Sequence, residues 1–186
     1  MRAMNFGRLS MAWFGRLRRR LLTALICGAL AGVATVGSAE AASTKAALRQ
    51  GAAAMQRQDY AAAAALLSPL AQGGNADAQA DMGYMYAIGR GVPQDYTQAA
   101  LWYRRAAEQG QSWAQFQIGM FYDQGHGVPV DVVEAEKWLI LSTASAPPSG
   151  AEDRTLIRDA VRTKMTRGEL AEARMRALAW QPRREQ

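Results

Sequence analysis

Side chains able to perform nucleophilic or metal chemistry are scarce in this chain. Its 186 residues include one histidine, His126, and one cysteine, Cys27. A serine–histidine–acid triad could be drawn with Ser112 or Ser142, but no nucleophile-elbow motif surrounds either serine. His126 lies between two glycines with no second histidine to share a metal, so we interpret it as a solvent-exposed loop residue whose replacement by alanine changes stability little. We therefore predict no enzyme activity, no catalytic residue, no metal site and no cofactor.

Acidic residues cluster around that histidine in the sequence, at Asp123, Asp131, Glu134 and Glu136. Asp131 followed by Glu134 has the spacing of a helix N-cap with a capping box. We assign the other two acids to a solvated helix face. The Gly-x-Gly at Gly89 and Gly91 lacks the preceding strand and the lysine of a phosphate-binding loop.

Residues 1–41 have the organisation of a secretory signal. Arginines precede the apolar stretch LLTALICGALAGVATV at 21–36, and Ala39 and Ala41 give the A-x-A spacing that signal peptidase needs. The alternative is an uncleaved anchor, but this stretch is shorter than the ~20 residues of a bilayer span. We expect cleavage after Ala41 and a periplasmic or secreted protein without stable membrane insertion.

Charge gives no argument for nucleic-acid binding. The formal net charge is +6, but six arginines and one acidic residue lie within 1–41. The remaining chain carries 16 basic and 15 acidic residues and is nearly neutral. A nucleic-acid partner is therefore not predicted.

The sequence contains an internal repeat with an interval of 36 residues. Pairs that coincide under this shift are Gly83 with Gly119, Tyr86 with Tyr122, and Trp102 with Trp138. The motif Gly-x-Gly-Val-Pro occurs at 89–93 and again at 125–129, and a weaker match begins near residue 59. Self-similarity this dense predicts an array of helical repeats.

The first half of each repeat predicts a helix that packs closely on its neighbour. Ala78, Met82 and Tyr86 recur at helical spacing and form one stripe. Gly83 lies beside that stripe and lets a second helix approach. We expect the stripe to be buried.

A tight turn and a second helix follow in each repeat. Gly91 can adopt a positive φ, and Pro93 prevents the first helix from resuming. Asp95 is the predicted N-cap of the second helix, with Gln98 placed to complete a capping box. Valine at position 91 or 127 should therefore be destabilising.

The segments AQADMGYMYAIGRGVPQDYTQAALWYRRAAEQG (78–110) and AQFQIGMFYDQGHGVPVDVVEAEKWL (114–139) resemble the Sel-1-like repeat family, a relative of the tetratricopeptide repeats. The resemblance implies an all-α fold, a short right-handed α-solenoid of antiparallel helix pairs with terminal helical caps. We divide the chain into a signal peptide (1–41), an N-terminal helical cap or partial repeat (42–75), two repeats (76–111 and 112–147), and a C-terminal helical hairpin cap with a tail (148–186). Thr166 and Glu169 predict a capping box in the hairpin.

The same resemblance implies an interaction module. The predicted function is an exported, non-enzymatic scaffold that binds a protein or peptide in the cell envelope. One alternative is an envelope hydrolase or cell-wall-glycan binding module, which would need a carboxylate pair or stacking aromatic residues converging on one concave surface. Asp77, Asp81 or Asp123 facing each other across a cleft would favour it. Another is a structural subunit of an export or polysaccharide-secretion assembly. The sequence leaves the partner and the oligomeric state open.

A candidate partner-binding surface lies opposite the packing stripe of each first helix. At 100° per residue, Asp77 and Tyr84 fall on that opposite face, which in solenoids of this kind lines the concave groove. The corresponding residues of the next repeat are Trp113, Phe116, Met120 and Asp123. We predict an apolar strip rimmed by the two aspartates. The alternative is that the C-terminal hairpin folds back over Trp113 and Phe116 and buries them.

Overall fold

The structure, a computed structural model, describes residues 41 to 145, 148 to 183 and 185. The predicted signal at 1–41 therefore lies outside the described residues, apart from residue 41, after which cleavage is predicted. The segment Ala46–Gln186 forms one compact unit. Residues 41 to 45 belong to a second unit and are helical.

The described residues form eight helices joined by turns, without a β-strand among them. The first, α1, covers 41 to 56, and the others are α2 (Tyr60–Gln72), α3 (Ala76–Ile88), α4 (Tyr96–Glu108), α5 (Ser112–Gln124), α6 (Val132–Ala144), α7 (Pro148–Arg162) and α8 (Arg167–Ala179). None of the helices in this part of the chain combines the length and apolar character needed to cross a bilayer. The all-α repeat fold predicted from the sequence is confirmed.

Successive helices pack in pairs because glycine leaves room at equivalent places. A Cβ on Gly83 of α3 would lie 2.7 Å from the ring of Tyr103 on α4. One repeat later, a Cβ on Gly119 of α5 would lie 3.0 Å from Leu139 on α6. The close helix approach predicted from Gly83 is thus confirmed. The pairs α3–α4 and α5–α6 then pack on each other through α4 and α5.

The second helix of each repeat begins at an aspartate, as predicted. Asp95 Oδ1 accepts hydrogen bonds from the backbone N–H of Thr97 and Gln98, at 2.8 and 3.0 Å. Asp131 Oδ1 does the same for α6. The predicted capping boxes at these two helices are wrong, because the backbone N–H that would close each box is already used. Asp95 N–H donates to Tyr86 O at 3.0 Å, and the N–H of Asp131 bonds to the preceding helix in the same way.

The capping box predicted at α8 is confirmed. Thr166 Oγ1 accepts from the backbone N–H of Glu169, and the Glu169 carboxylate accepts from the backbone N–H of Thr166 at 2.8 Å. No preceding helix competes for the N–H of Thr166 here. Hydrogen bonds from the backbone N–H and then the hydroxyl of Thr166 to the Glu169 carboxylate lower the pKa of Glu169.

The loop inside each repeat lies against the start of the second helix of the preceding pair. Gly91 has φ +76°, and a Cβ added at this position would clash with the carbonyl group of Tyr60. Gly127 has φ +68° and meets the carbonyl of Tyr96, which is 36 residues after Tyr60. Glycine is therefore required twice over at each position, by backbone conformation and by space.

The last two helices, α7 and α8, both pack against α6. Their arginines surround Glu136, which is only 2% exposed. Arg162 Nε lies 3.9 Å from Glu136 Oε1, while Glu136 Oε2 accepts no hydrogen bond from the described residues. Burial raises the pKa of Glu136 to about 7, although the charges of Arg158, Arg162 and Arg174 oppose that rise. The assignment of Glu136 to a solvated helix face is wrong, because that face is covered by α7 and α8.

Candidate partner-binding surface

The structure places the six predicted surface residues on two neighbouring helices. Asp77 and Tyr84 belong to α3, and Trp113, Phe116, Met120 and Asp123 belong to α5. Tyr84, Phe116 and Met120 join the same apolar cluster, and the rings of Trp113 and Phe116 lie 5.7 Å apart. We call this surface the α3–α5 face.

Exposure differs sharply between the two aromatic residues that α5 contributes to this face. Trp113 is 42% exposed, whereas Phe116 is 9% exposed. The guanidinium of Arg154, on α7, lies 5.6 Å from the centre of the Phe116 ring. Phe116 is therefore covered by α7, and Trp113 remains accessible.

Arg154 is itself held in place by α5 and α6. Its Nη1 donates to Ser112 Oγ at 3.0 Å and to the carbonyl oxygen of Ser142 at 3.1 Å. Burial lowers the pKa of this guanidinium. Ser142 Oγ donates to Leu139 O at 3.2 Å. The hydroxyl groups of both serines considered for a triad are therefore engaged in structural hydrogen bonds.

The two aspartates predicted to rim this face differ in exposure and in ion pairing. Asp77 is exposed. Asp123 has a side chain only 9% exposed, and Lys164 Nζ lies 2.7 and 2.9 Å from its two carboxylate oxygens. The assignment of Asp123 to a solvated helix face is therefore wrong, because the residues that follow α7 cover it.

Two further polar residues belong to this face: Asp81, which the sequence suggested only as a carboxylate for a hydrolase, and Gln117, which was not selected from the sequence. Asp81 lies one helical turn after Asp77, and burial, followed by the charge of Asp77, raises its pKa to about 6. Gln117, which is 36 residues after Asp81, places its Nε2 3.4 Å from Tyr103 Oη. The repeat interval alone was sufficient to find this pair.

Asp77 and Asp81 occupy adjacent turns of one helix, and Asp123 is bound to Lys164. They therefore do not form the pair of carboxylates across a cleft that a hydrolase would need. Within the described ranges, no group of three or more histidine, cysteine or acidic side chains is placed to hold a metal ion.

His126 is not the solvent-exposed loop residue predicted from the sequence. Its ring stacks on Tyr96 with a centroid distance of 4.8 Å and meets the edge of Phe121 at 5.7 Å. The prediction failed because the loop folds onto the preceding repeat, a contact that local sequence does not indicate. The imidazole is used in packing, and the drawn triad is not assembled.

Comparison with protein families agrees with the geometry of the two central helix pairs. The Sel1 repeat family model matches residues 76–111 and 114–145. The chain carries two Sel1 repeats. Proteins built from Sel1 repeats generally serve as protein–protein interaction scaffolds and are typically non-enzymatic.

Two solved structures of Sel1-type proteins are similar to this chain. One is a protective antigen present in uropathogenic Escherichia coli strains that displays an SLR fold, with a TM-score of 0.66 and 30% identity, covering 72% of this chain and 29% of that one. The other is a Sel1 repeat protein from Oxalobacter formigenes, with a TM-score of 0.57 and 28% identity, covering 71% of this chain and 53% of that one. This chain therefore spans less than two thirds of either Sel1 relative. A search of curated proteins found no match.

Proposed function

We propose that this Sel1-repeat chain is an exported, non-enzymatic scaffold whose α3–α5 face binds a protein or peptide partner in the cell envelope. Export is supported by the signal-like organisation of residues 1–41. The observation that carries the binding proposal is the 42% exposure of Trp113 beside the covered ring of Phe116. An indole supported by a buried ring is rigid and offers a large contact area, which is typical of interface hot spots.

The charges of the α3–α5 face indicate what the partner carries. Asp77 is exposed, and Asp81 lies one turn away at a partly buried position. At the other end, Asp123 is paired with Lys164. The partner we propose therefore places an apolar side chain on Trp113 and a basic side chain near Asp77 and Asp81. A cation there would also offset the repulsion between these two carboxylates.

A glycan-binding module remains the second candidate, and it rests on the same indole. Exposed tryptophan rings stack on the apolar faces of sugars as they do on protein side chains. A hydrolase is not supported, because the carboxylates do not face each other. Purified cell-wall glycan and envelope proteins therefore serve as two separate ligands in the experiment.

The test uses the chain as bait for crosslinking and pull-down from envelope extract, followed by mass spectrometry, in parallel with a sedimentation assay on cell-wall glycan. Trp113→Ala should reduce capture of the same protein by about tenfold or more, as truncation of an aromatic hot spot does. Leu178→Ala is the matched control, because Leu178 is an apolar residue on α8 that is 82% exposed. Equal capture by both variants would reject the α3–α5 face as the binding site, and glycan sedimentation that depends on Trp113 would favour the second candidate.

A further inference from the structure

The segment that follows α8 runs back across the two Sel1 repeats. We call residues 180 to 183 and 185 the return segment. Trp180 is extended, with φ −74° and ψ 140°, and its ring meets the Trp138 ring of α6 edge-on at 6.2 Å. Three residues later, the backbone N–H of Arg183 donates to Glu108 O at 2.8 Å, near the end of α4. The segment therefore passes from the second repeat to the first.

A carboxylate anchors the far end of this segment. Arg105 Nε and Nη2 donate to the two oxygens of Glu185 at 2.8 and 2.6 Å, which is the bidentate geometry of the strongest protein ion pairs. Gln79 Nε2 donates to Glu185 Oε2 at 2.8 Å. The hydrogen bond from Arg105, and to a lesser degree that from Gln79, lowers the pKa of Glu185.

The groups that bind this carboxylate are fixed by the repeats themselves. Gln79 is fully buried; its Nε2 also donates to Ala71 O at 3.1 Å, and its Oε1 accepts from Gln109 at 2.8 Å. The guanidinium of Arg105 lies 4.7 Å from the centre of the Trp102 ring. Both side chains thus have partners within the repeats besides Glu185, and these contacts favour a preorganised site.

The second repeat contains the glutamine but lacks the arginine. Gln115, 36 residues after Gln79, donates to Ala107 O at 3.3 Å and contacts Ser145 where Gln79 contacts Gln109. The residue equivalent to Arg105 is Leu141. A purely structural glutamine therefore recurs in both repeats, while the combination that binds a carboxylate occurs only in the first.

The backbone also leaves a path for an extended segment along this edge. Gly74 and Gly110 are 36 residues apart and have φ +86° and +92°. A Cβ on Gly74 would lie 3.2 Å from Glu185, and one on Gly110 would lie 3.6 Å from Pro182. A groove of ≈ 420 Å³ continues beside the segment, with Arg104, Glu108, Lys137 and Trp138 among its lining residues. It has room for further side chains of a ligand.

The geometry points to a second binding site, distinct from the α3–α5 face: the edge around Arg105 and Gln79 binds an extended peptide segment that carries a carboxylate side chain. In this structure the chain's own return segment fills the site. The partner that fits is a protein with an extended segment that has an aromatic residue and, five positions later, a glutamate. Such a partner has to displace the return segment, so the segment lowers the apparent affinity for it.

The experiment measures binding of a fluorescent peptide with the sequence of residues 177–186, ALAWQPRREQ, to the full chain by anisotropy. In the double variant Trp180→Ala/Glu185→Gln the return segment is released, and we expect binding at least about tenfold tighter than to the wild type. Glu185→Gln alone should lie between them, which keeps the test valid where loss of Trp180 loosens α8. Circular dichroism checks that each variant stays helical.

Two changes test which groups recognise the peptide on the released variant, and two further variants are controls. Arg105→Ala, or glutamine in place of the peptide's glutamate, should weaken binding by about tenfold or more. Arg167→Ala is the control, because Arg167 is an exposed arginine of α8 that does not line the groove, and it should change binding little. Trp113→Ala should also have little effect, which separates this site from the α3–α5 face. Absence of peptide binding to the released variant, or binding indifferent to Arg105→Ala, would overturn the proposal.

Discussion

The imidazole of His126 stacks on the phenol ring of Tyr96, with centroids 4.8 Å apart and planes inclined by 16°. One repeat earlier, the guanidinium of Arg90 lies 5.4 Å from the centre of the Tyr60 ring. Both pairs join a turn residue to the first residue of the second helix in the preceding pair. The residue between the two glycines of each turn therefore packs against the preceding helix pair and connects successive repeats.

Replacing His126 by alanine should lower the free energy of unfolding by about 0.5 to 1.5 kcal/mol, because two aromatic contacts are lost. His126→Phe keeps a flat ring on Tyr96 and should lose less than alanine does. Urea denaturation followed by circular dichroism compares the three proteins. An alanine variant as stable as the wild type would show that the stacking contributes nothing.

Valine at Gly127 or Gly91 should destabilise the protein by about 2 to 4 kcal/mol each, since the side chain meets both a positive φ and a backbone carbonyl. The matched control is Gly168→Ala on α8. A Cβ on Gly168 would have its nearest neighbour 3.9 Å away, at Thr166 Oγ1. That control should be neutral or stabilise by up to about 1 kcal/mol. Thermal or urea melts decide, and a tolerated valine at Gly127 would contradict the packing of this turn.

The two aromatic residues that α5 contributes to the α3–α5 face should differ in how much their loss destabilises the protein. Phe116→Ala removes a ring covered by Arg154 and should cost about 3 to 5 kcal/mol. Trp113→Ala removes a partly exposed ring and should cost clearly less, about 1 to 2 kcal/mol. Equilibrium unfolding of both variants in the same buffer is the measurement. A larger loss for Trp113→Ala than for Phe116→Ala would mean that the indole, not Phe116, is the buried ring.

Stability should fall as pH rises from about 4.5 to 7 because of Glu136. Its pKa in the folded chain is raised to about 7, so within this window the folded state keeps a proton that the unfolded state has released. The wild type should therefore lose on the order of 1 to 3 kcal/mol more than Glu136→Gln does between pH 5 and pH 8. The charge of Asp81 is common to both proteins and cancels in the comparison. Equal losses in the two proteins would show that Glu136 titrates at its ordinary pKa.

The repeat interval predicted most of the central fold because the residues that define it act within one helix pair or on its immediate neighbour. Gly83 and Asp95 have their partners inside their own repeat, Gly91 meets Tyr60 of the preceding pair, and the copies of all three lie 36 residues on. The capping boxes at α4 and α6 were wrong because the chain folds back at the turn that precedes each of these helices. The preceding helix supplies the acceptor for the N–H of Asp95, and local spacing does not reveal that competition.

The candidate surface was predicted less completely because the C-terminal helices share no repeat pattern with the rest. Arg154 over Phe116 and Lys164 beside Asp123 are contacts across about 40 residues between dissimilar segments. The ion pair between Arg105 and Glu185 spans 80 residues. Such contacts depend on where α7 and the return segment lie, which periodicity does not specify.

Glu136 also bears on how many repeats this architecture can hold. The equivalent residue one repeat earlier is Ala100, which is buried in the core. A further Sel1-type pair stacked on α6 would bring apolar side chains against a carboxylate, an expensive burial without compensating cations. Only helices that carry arginines at the right places, as α7 and α8 do, are compatible with that surface. The same carboxylate therefore favours the arginine-bearing helices α7 and α8 over another Sel1-type pair as the continuation of the array.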